Sequence, residues 1–366
     1  MMQNGFAFRR ASRGITVGGV KIGNNAPISV QSMTNTDPLD YEATKKQVLA
    51  LAEIGCDIVR LALPTLRAVD TIARLKKDGV TVPLVGDIHF DYKIALAALG
   101  AGIDKIRINP GNIGSAEKIR AVAEAARAQG VPIRIGVNSG SLEKHILEKY
   151  GAPTPEALAE SALYHAELLE AFAFSDIVIS VKASRVSDMI AANRILAAQT
   201  NYPLHLGVTE AGGLSMGKTK SAVGIGTLLA EGIGDTVRVS LTADPIFEVR
   251  EARAILSSLD LLNEKQMDII ACPTCGRTKI DLIPLLSQFE EEIDKLGLRT
   301  FPVKVAFMGC VVNGPGEARE ADIGVAGGIG EGILFRHGVA GERVAAEKIV
   351  PTLIAEIQKM KEQTNV

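Results

Sequence analysis

The feature that most constrains this chain is a unit repeated eight times in its first 260 residues: a short apolar run, a turn, then a helical stretch. The runs, most of them β-branched, fall at 28–30, 58–63, 83–88, 105–108, 132–137, 177–181, 203–208 and 236–241. Helix-like segments lie between or after them, at 41–54, 115–129, 155–172 and 245–259, and Gly55, Gly79, Gly100, Gly130 and Gly232 stand where helices should stop. Strands alternating with helices are parallel, because each return needs a helical crossover. An open doubly wound sheet also produces the pattern, but eight is the number that closes a barrel, and the length fits one. The expected fold class is α/β: an N-terminal (β/α)8 TIM-type barrel over 1–260 and a smaller C-terminal α+β domain over 261–366.

Polar residues inside the barrel runs carry the next inference. Strand side chains alternate, so residues two or four apart share a face. Asp87 pairs in this way with His89, Arg107 with Asn109, Arg134 with Asn138, Ser180 with Lys182, and Arg238 with Ser240. Arg60 lies in the second run and Glu210 ends the seventh. Charges in otherwise apolar strands are costly unless they are paired or face a wet pocket, and the C-terminal strand ends of such a barrel build its active site. Internal ion pairs would account for any one of these residues. They do not account for the set, since Arg60, Arg107, Arg134, Lys182 and Arg238 face only Asp87 and Glu210 among the acids placed there. A surplus of cations at one mouth calls for a ligand with several negative charges, and arginine's paired donors suit phosphate. A diphosphate or bisphosphate is the simplest candidate.

Composition removes other classes. With a net charge of −2, the chain has no general polyanion surface, so nucleic acid is not an expected partner. No apolar stretch approaches the length of a membrane span, and the first residues have no signal-peptide core. Four cysteines in 366 residues speak against a disulfide scaffold. A cytoplasmic protein is expected. The segment 212–219 has P-loop spacing, with four residues between Gly212 and Gly217-Lys218-Thr219, but a motif match without its structural context does not make a nucleotide site, and none is expected here. The turn can still offer backbone N–H groups to a phosphate. The glycines of 327–332 lack dinucleotide-binding spacing and read as a hairpin.

Beyond residue 260 the period breaks. A helix is expected at 280–296, strands at 304–308, 323–325 and 333–335, and a closing helix from 342 to 361. Three of the four cysteines sit here, as Cys272-Pro-Thr-Cys275 and Cys310, with Glu317 close behind. Three thiolates cannot fill the usual four-cysteine shell of an iron–sulfur cluster, so a further group completes it or one iron stays open. The same residues admit a redox dithiol or a structural zinc site, although His337, the nearest tail histidine, is distant in sequence. Cys56, before an apolar run, reads as a small core residue.

Several segments together are recognisable. Ala271-Cys-Pro-Thr-Cys-Gly-Arg277 and Met308-Gly-Cys-Val-Val-Asn-Gly-Pro-Gly-Glu317 resemble the two cluster motifs of the bacterial 4-hydroxy-3-methylbut-2-enyl diphosphate synthase family. In the barrel, Gln31-Ser-Met-Thr34, Gly86-Asp-Ile-His-Phe90, Arg107-Ile-Asn-Pro-Gly-Asn112, Arg134-Ile-Gly-Val-Asn138 and Gly207-Val-Thr-Glu-Ala-Gly-Gly213 also resemble that family, as does the stretch 232–245. The resemblance spans nearly the whole chain, in the compact form without the domain inserted in plant-type members. It implies reductive ring opening and dehydroxylation of 2-C-methyl-D-erythritol 2,4-cyclodiphosphate in isoprenoid precursor biosynthesis. It further implies a [4Fe-4S] cluster on Cys272, Cys275 and Cys310, with Glu317 capping the fourth iron until substrate displaces it. Flavodoxin or ferredoxin would supply electrons. Arg60, Arg107, Arg134, Lys182 and Arg238 would hold the diphosphate, with Asn138 and Ser240 as neutral donors. Glu210, His89, Asp87 and displaced Glu317 are the proton-donor candidates. A homodimer in which one subunit's cluster domain caps the other's barrel is also implied. Two other readings fit parts of the sequence: a phosphorylated-ligand-binding barrel with a zinc tail, and a pterin-binding-type barrel that transfers a one-carbon unit.

Overall fold

The computed structural model describes residues 8–262, 266–310 and 320–364. The chain divides into two compact units, Met1–Leu262 and Asn263–Val366. In the first, a short antiparallel hairpin of β1 (Ile15–Val17) and β2 (Val20–Ile22) precedes the repeating units. Its two-residue turn takes positive φ at Gly18 and Gly19, the conformation a tight hairpin requires. Ile15, Val17 and Ile22 pack against Ile58, Val85 and Val178 near the starts of three barrel strands, forming an apolar plug. Strands of three residues are too short to show a period, and the sequence reading passed over this hairpin.

Eight parallel strands follow: β3 (Ser29–Met33), β4 (Ile58–Ala62), β5 (Leu84–Asp87), β6 (Lys105–Ile108), β7 (Ile133–Asn138), β8 (Ile177–Lys182), β9 (His205–Leu206) and β10 (Thr236–Val237). Their order, β8-β7-β6-β5-β4-β3-β10-β9, is that of a barrel laid flat. A parallel bridge between Ile179 and Leu204, with Ile179 N–H donating to Pro203 C=O at 2.9 Å, joins the two edges. The barrel expectation is borne out. The last two strands are shorter than expected, because regular pairing ends at Leu206 and Val237 and the chain continues to the mouth as irregular segments.

The outward faces of these strands carry the main core. Val59, Leu61, Leu84, Ile106, Ile133, Ile135, Ile177 and Ile179 are fully buried, in one cluster with helix residues such as Ile72, Val122, Leu158 and Leu196. Removing one such side chain, as in Ile135→Ala, costs about 2–5 kcal/mol. The helices start where capping chemistry dictates. Asp40 accepts from Ala43 N–H before Tyr41–Glu53, and Thr154 accepts from Ala157 N–H before Pro155–Glu170. With outer faces committed to helices, the barrel's polar residues are left facing inward.

The second unit is a mixed sheet in the order β11-β12-β13-β14-β15. β11 (Asp268–Ala271), β12 (Lys304–Met308) and β13 (Ile323–Gly327) are parallel, while β14 (Glu331–Arg336) and β15 (Val339–Ala345) complete an antiparallel meander. Helices Leu282–Lys295 and Ile349–Thr364 share its core, where Phe289 and Phe307 rings pack 4.9 Å apart. The expected closing helix begins later, at Ile349. Residues 339–345 instead pair with β14 across a turn where His337 and Gly338 both have positive φ, the signature of a tight hairpin. No helix among the described residues is long and apolar enough to cross a membrane.

Candidate active site

Strand register gathers the barrel's polar residues at one level. Asp87 on β5 is level with Arg107 on β6, and Arg107 with Arg134 on β7. Asn138 lies opposite Lys182, and Gly136 opposite Ser180. The result is a recess of about 350 Å³ lined by Arg60, Arg107, Arg134, Gly136, Asn138, Ser180, Lys182, Thr209, Arg238 and Ser240. All seven residues nominated as anion ligands are among them. Thr209 and Gly136 were not singled out, although both lie within segments that carried the resemblance. Gly136 is needed for space: a Cβ there would sit 2.4 Å from Arg107 Nε, and Arg107 donates to Gly136 C=O at 2.6 Å.

The charges are arranged unequally. Arg60 donates to Asp87 Oδ2 at 2.8 Å, and Arg107 to Asp87 Oδ1 at 3.3 Å. Burial raises the Asp87 carboxyl, but Arg60, Arg107 and His89 outweigh it and hold the pKa at about 2. Arg238 pairs with Glu248 at 3.4 Å. Arg134 and Lys182, 2% and 6% exposed, have no carboxylate within ion-pair distance among the described residues. Burial, then the neighbouring cations, pushes both pKa values well below their ordinary range. A guanidinium keeps its proton, so for Arg134 this pressure is energy held in the folded protein. An entering anion would relieve it.

The counter-charge expectation requires a correction. Glu210 is exposed, has a φ of +53°, and makes no ion pair among the described residues. The second internal carboxylate is instead Glu248, 4% exposed, on helix Pro245–Ser258. It accepts from Ser32 Oγ at 2.8 Å and from Leu241 N–H at 3.0 Å as well as from Arg238. Its signal was weak, since a glutamate in a helix's first turn ordinarily reads as solvated. His89 is largely exposed, with Nε2 3.9 Å from Asp87. Asp87, His89 and Glu210 stand outside the recess lining.

In the second unit, β11 runs directly into Cys272 and β12 into Gly309-Cys310. The two strands are parallel neighbours with Ala271 level with Phe307, so both cysteines leave the same end of the sheet. Cys272 N–H donates to Phe307 C=O at 2.9 Å, and Lys279 N–H to Gly309 C=O at 2.9 Å, tying the Cys-x-x-Cys loop to the end of β12. Cys310 is buried and Cys275 exposed. Arg277 lies in the fields of Cys275, Cys310 and Cys272, which raise its pKa. The Arg277 backbone and side chain in turn lower the Cys275 thiol, favouring thiolate. Three sulfur donors around one cationic loop fit a thiolate-held metal group. Among the described residues no three such side chains are yet close enough to hold an ion, and Glu317 lies outside those residues. Cys56 is buried, and desolvation raises its pKa to about 12, which leaves it an inert core thiol.

A parallel barrel with a cationic mouth, carried with a small mixed-sheet unit that bears three cysteines, defines a class: two-unit TIM-barrel proteins with a cationic recess and a cysteine-bearing module. The GcpE TIM-barrel domain model matches residues 12–253, and the GcpE protein C-terminal domain model matches 268–359. The chain belongs to the GcpE family. It is 55% identical over 352 residues to a 4-hydroxy-3-methylbut-2-en-1-yl diphosphate synthase (flavodoxin) of Caldanaerobacter subterraneus, covering 96% of this chain and 98% of that protein. It is 54% identical over 355 residues to the protein of the same name in Geobacillus thermodenitrificans, covering 97% and 94%. Among solved structures, a type I 3-dehydroquinate dehydratase from Clostridium difficile matches with TM-score 0.50 and 14% identity, over 68% of this chain and 98% of that one. That likeness concerns the barrel fold alone.

Proposed function

We propose that this chain is a flavodoxin-dependent oxidoreductase of isoprenoid precursor biosynthesis. It opens and dehydroxylates 2-C-methyl-D-erythritol 2,4-cyclodiphosphate to (E)-4-hydroxy-3-methylbut-2-enyl diphosphate, a two-electron reduction. The observation that carries this reading is the recess itself, where five cations meet two carboxylates, Asp87 and Glu248, each already engaged. The surplus matches a ligand with at least two negative charges, and the name of the relatives, a diphosphate synthase, supplies a diphosphate.

Arg134 and Lys182, without acidic partners among the described residues, are the primary diphosphate ligands. Arg60, Arg107 and Arg238 are held in place by Asp87 and Glu248 and present their remaining N–H donors, while Asn138 and Ser240 contribute neutral contacts. Asp87, ionised and shared by two guanidinium groups, acts here as a positioning residue rather than a proton source. Loss of the substrate oxygen as water needs protons, and exposed Glu210 and His89 are the barrel residues free to deliver them.

Cys272, Cys275 and Cys310, with Glu317, are the residues that would hold a [4Fe-4S] cluster. When bound it supplies the two electrons and an iron site for the substrate oxygen. Flavodoxin or ferredoxin donates the electrons. A homodimer whose subunits share each active site belongs to the same proposal, and mixed dimers of barrel-defective and cysteine-defective chains should regain activity. The cofactor assignment is tested by iron, acid-labile sulfide and zinc content of anaerobically purified protein, with visible spectra before and after dithionite. About four iron and four sulfide per chain, bleaching on reduction, is the expected result. Zinc without sulfide would favour a ligand-binding barrel with a structural tail.

A further inference from the structure

Below the recess lies a second polar layer that the anion ligands do not account for. Lys105 precedes Arg107 by two residues on β6 and so shares its inward face. Ser29, Thr236 and His205 are mutually in register on β3, β10 and β9, and Thr236 lies two residues before pocket-lining Arg238. Lys105 and His205 are completely buried. Lys105 Nζ has one protein partner among the described residues, Gln31 Oε1 on β3, at 3.4 Å. The charged and titratable groups around it are Arg134 from β7, Arg60 from β4 and His205 from β9. Asp87 on β5, the nearest carboxylate by strand position, is occupied by Arg60 and Arg107. Lys105 is thus a solvent-excluded amine beneath a cationic pocket, with no acid of its own among the described residues.

We infer that Lys105 is proton-linked to the anion pocket: above neutral pH it is a neutral amine while no anion is present, and it takes a proton from solvent when the diphosphate enters. Burial first, then Arg134 and Arg60, lowers its pKa to about 7, so a change in charge overhead acts within the neutral range. The entering anion offsets the fields of Arg134 and Arg60, and the ammonium form becomes favoured. His205 is driven further down by burial and the same cations, and stays neutral in the empty pocket. The consequence is a proton held two residues below Arg107 on the same strand face, and an affinity that falls as pH rises above 7. By linkage, affinity loses about tenfold per pH unit for each proton taken up.

This inference rests on the cyclodiphosphate reading. Calorimetry tests it with anaerobic holoenzyme, without reductant, titrated with 2-C-methyl-D-erythritol 2,4-cyclodiphosphate at pH 8 in buffers of different ionisation enthalpy. Each phosphate in the ring has only one strongly acidic oxygen, so protons taken up near neutrality go to the protein. Lys182, a direct ligand in the proposed function whose pKa burial also pushes down, contributes to wild-type uptake as well. The assignment therefore lies in the difference between wild type and variants. Lys105→Met, close in length and apolar, and Lys105→Arg, charged throughout, are each expected to take up about one proton fewer and to show a flatter dependence of affinity on pH. Binding by wild type without proton uptake overturns the inference even if neither variant folds. Uptake undiminished in a folded variant also overturns it. Absence of any binding by wild type overturns the functional reading along with it.

Discussion

Glu248 accepts from Arg238 at 3.4 Å from the first turn of the helix that follows the last barrel strand. It makes a helix residue part of the barrel's internal charge balance. Glu248→Gln should lower stability by on the order of 3 kcal/mol, the typical cost of breaking a buried pair. Part of that loss should return when substrate supplies a replacement negative charge. Thermal melts with and without the cyclodiphosphate read both effects, and an equal shift for wild type and variant would remove Glu248 from the site.

Arg134 is the opposite case, a buried cation without a carboxylate partner among the described residues. Arg134→Met should weaken substrate binding by about 1.5–3 kcal/mol, roughly tenfold to a hundredfold, because it removes charge-assisted hydrogen bonds. Stability should be unchanged or higher, since an isolated buried charge is replaced by an apolar side chain. Calorimetry and a melt on the same preparation separate the two; unchanged affinity would contradict the ligand assignment.

The Asp87 carboxyl, held near pH 2 by Arg60 and Arg107 against burial, is a depressed acid. Its contribution to stability is complete above the unfolded value of about 4 and disappears as pH falls through about 2. Asp87→Asn should therefore be less stable than wild type at pH 6, with the gap narrowing towards pH 2. Denaturant titrations across that range check the sign, and a constant gap would mean that the carboxyl's ionisation does not matter.

Glu210 stands outside the recess lining, on a backbone of positive φ. If it delivers a proton, Glu210→Gln should lower kcat by about 10²–10⁴-fold, the usual range for a general acid. Iron and sulfide content should not change. Wild-type turnover by that variant would leave His89 as the barrel's donor.

Much of this architecture could be read from residue order, and the reasons are physical. Barrel strands buried on their outer face keep β-branched runs, so Val59, Ile106 and Ile177 announced them. The inward face alternates by two, so Arg107, Arg134, Lys182 and Arg238 could be assigned to one mouth from spacing alone. Glu248 escaped because its partner Arg238 follows the last barrel strand while it sits on a helix, and no period relates the two. Lys105 escaped because a lysine opening a strand ordinarily points to solvent; here the hairpin Ile15–Ile22 plugs one end and shuts it in. The start of the last helix was misplaced because 339–345 carries helix-compatible residues, yet pairs with β14 across the His337-Gly338 turn.

The central claim is that the cationic barrel mouth and the three-cysteine unit serve one reductive reaction. Its most direct test is anaerobic incubation of the reconstituted protein with 2-C-methyl-D-erythritol 2,4-cyclodiphosphate and reduced flavodoxin, followed by phosphorus NMR. Conversion of the cyclic diphosphate to the open-chain 4-hydroxy-3-methylbut-2-enyl diphosphate, abolished by Cys310→Ala, is the predicted result. Cyclodiphosphate bound but unchanged by protein carrying a full, reducible cluster would contradict the account.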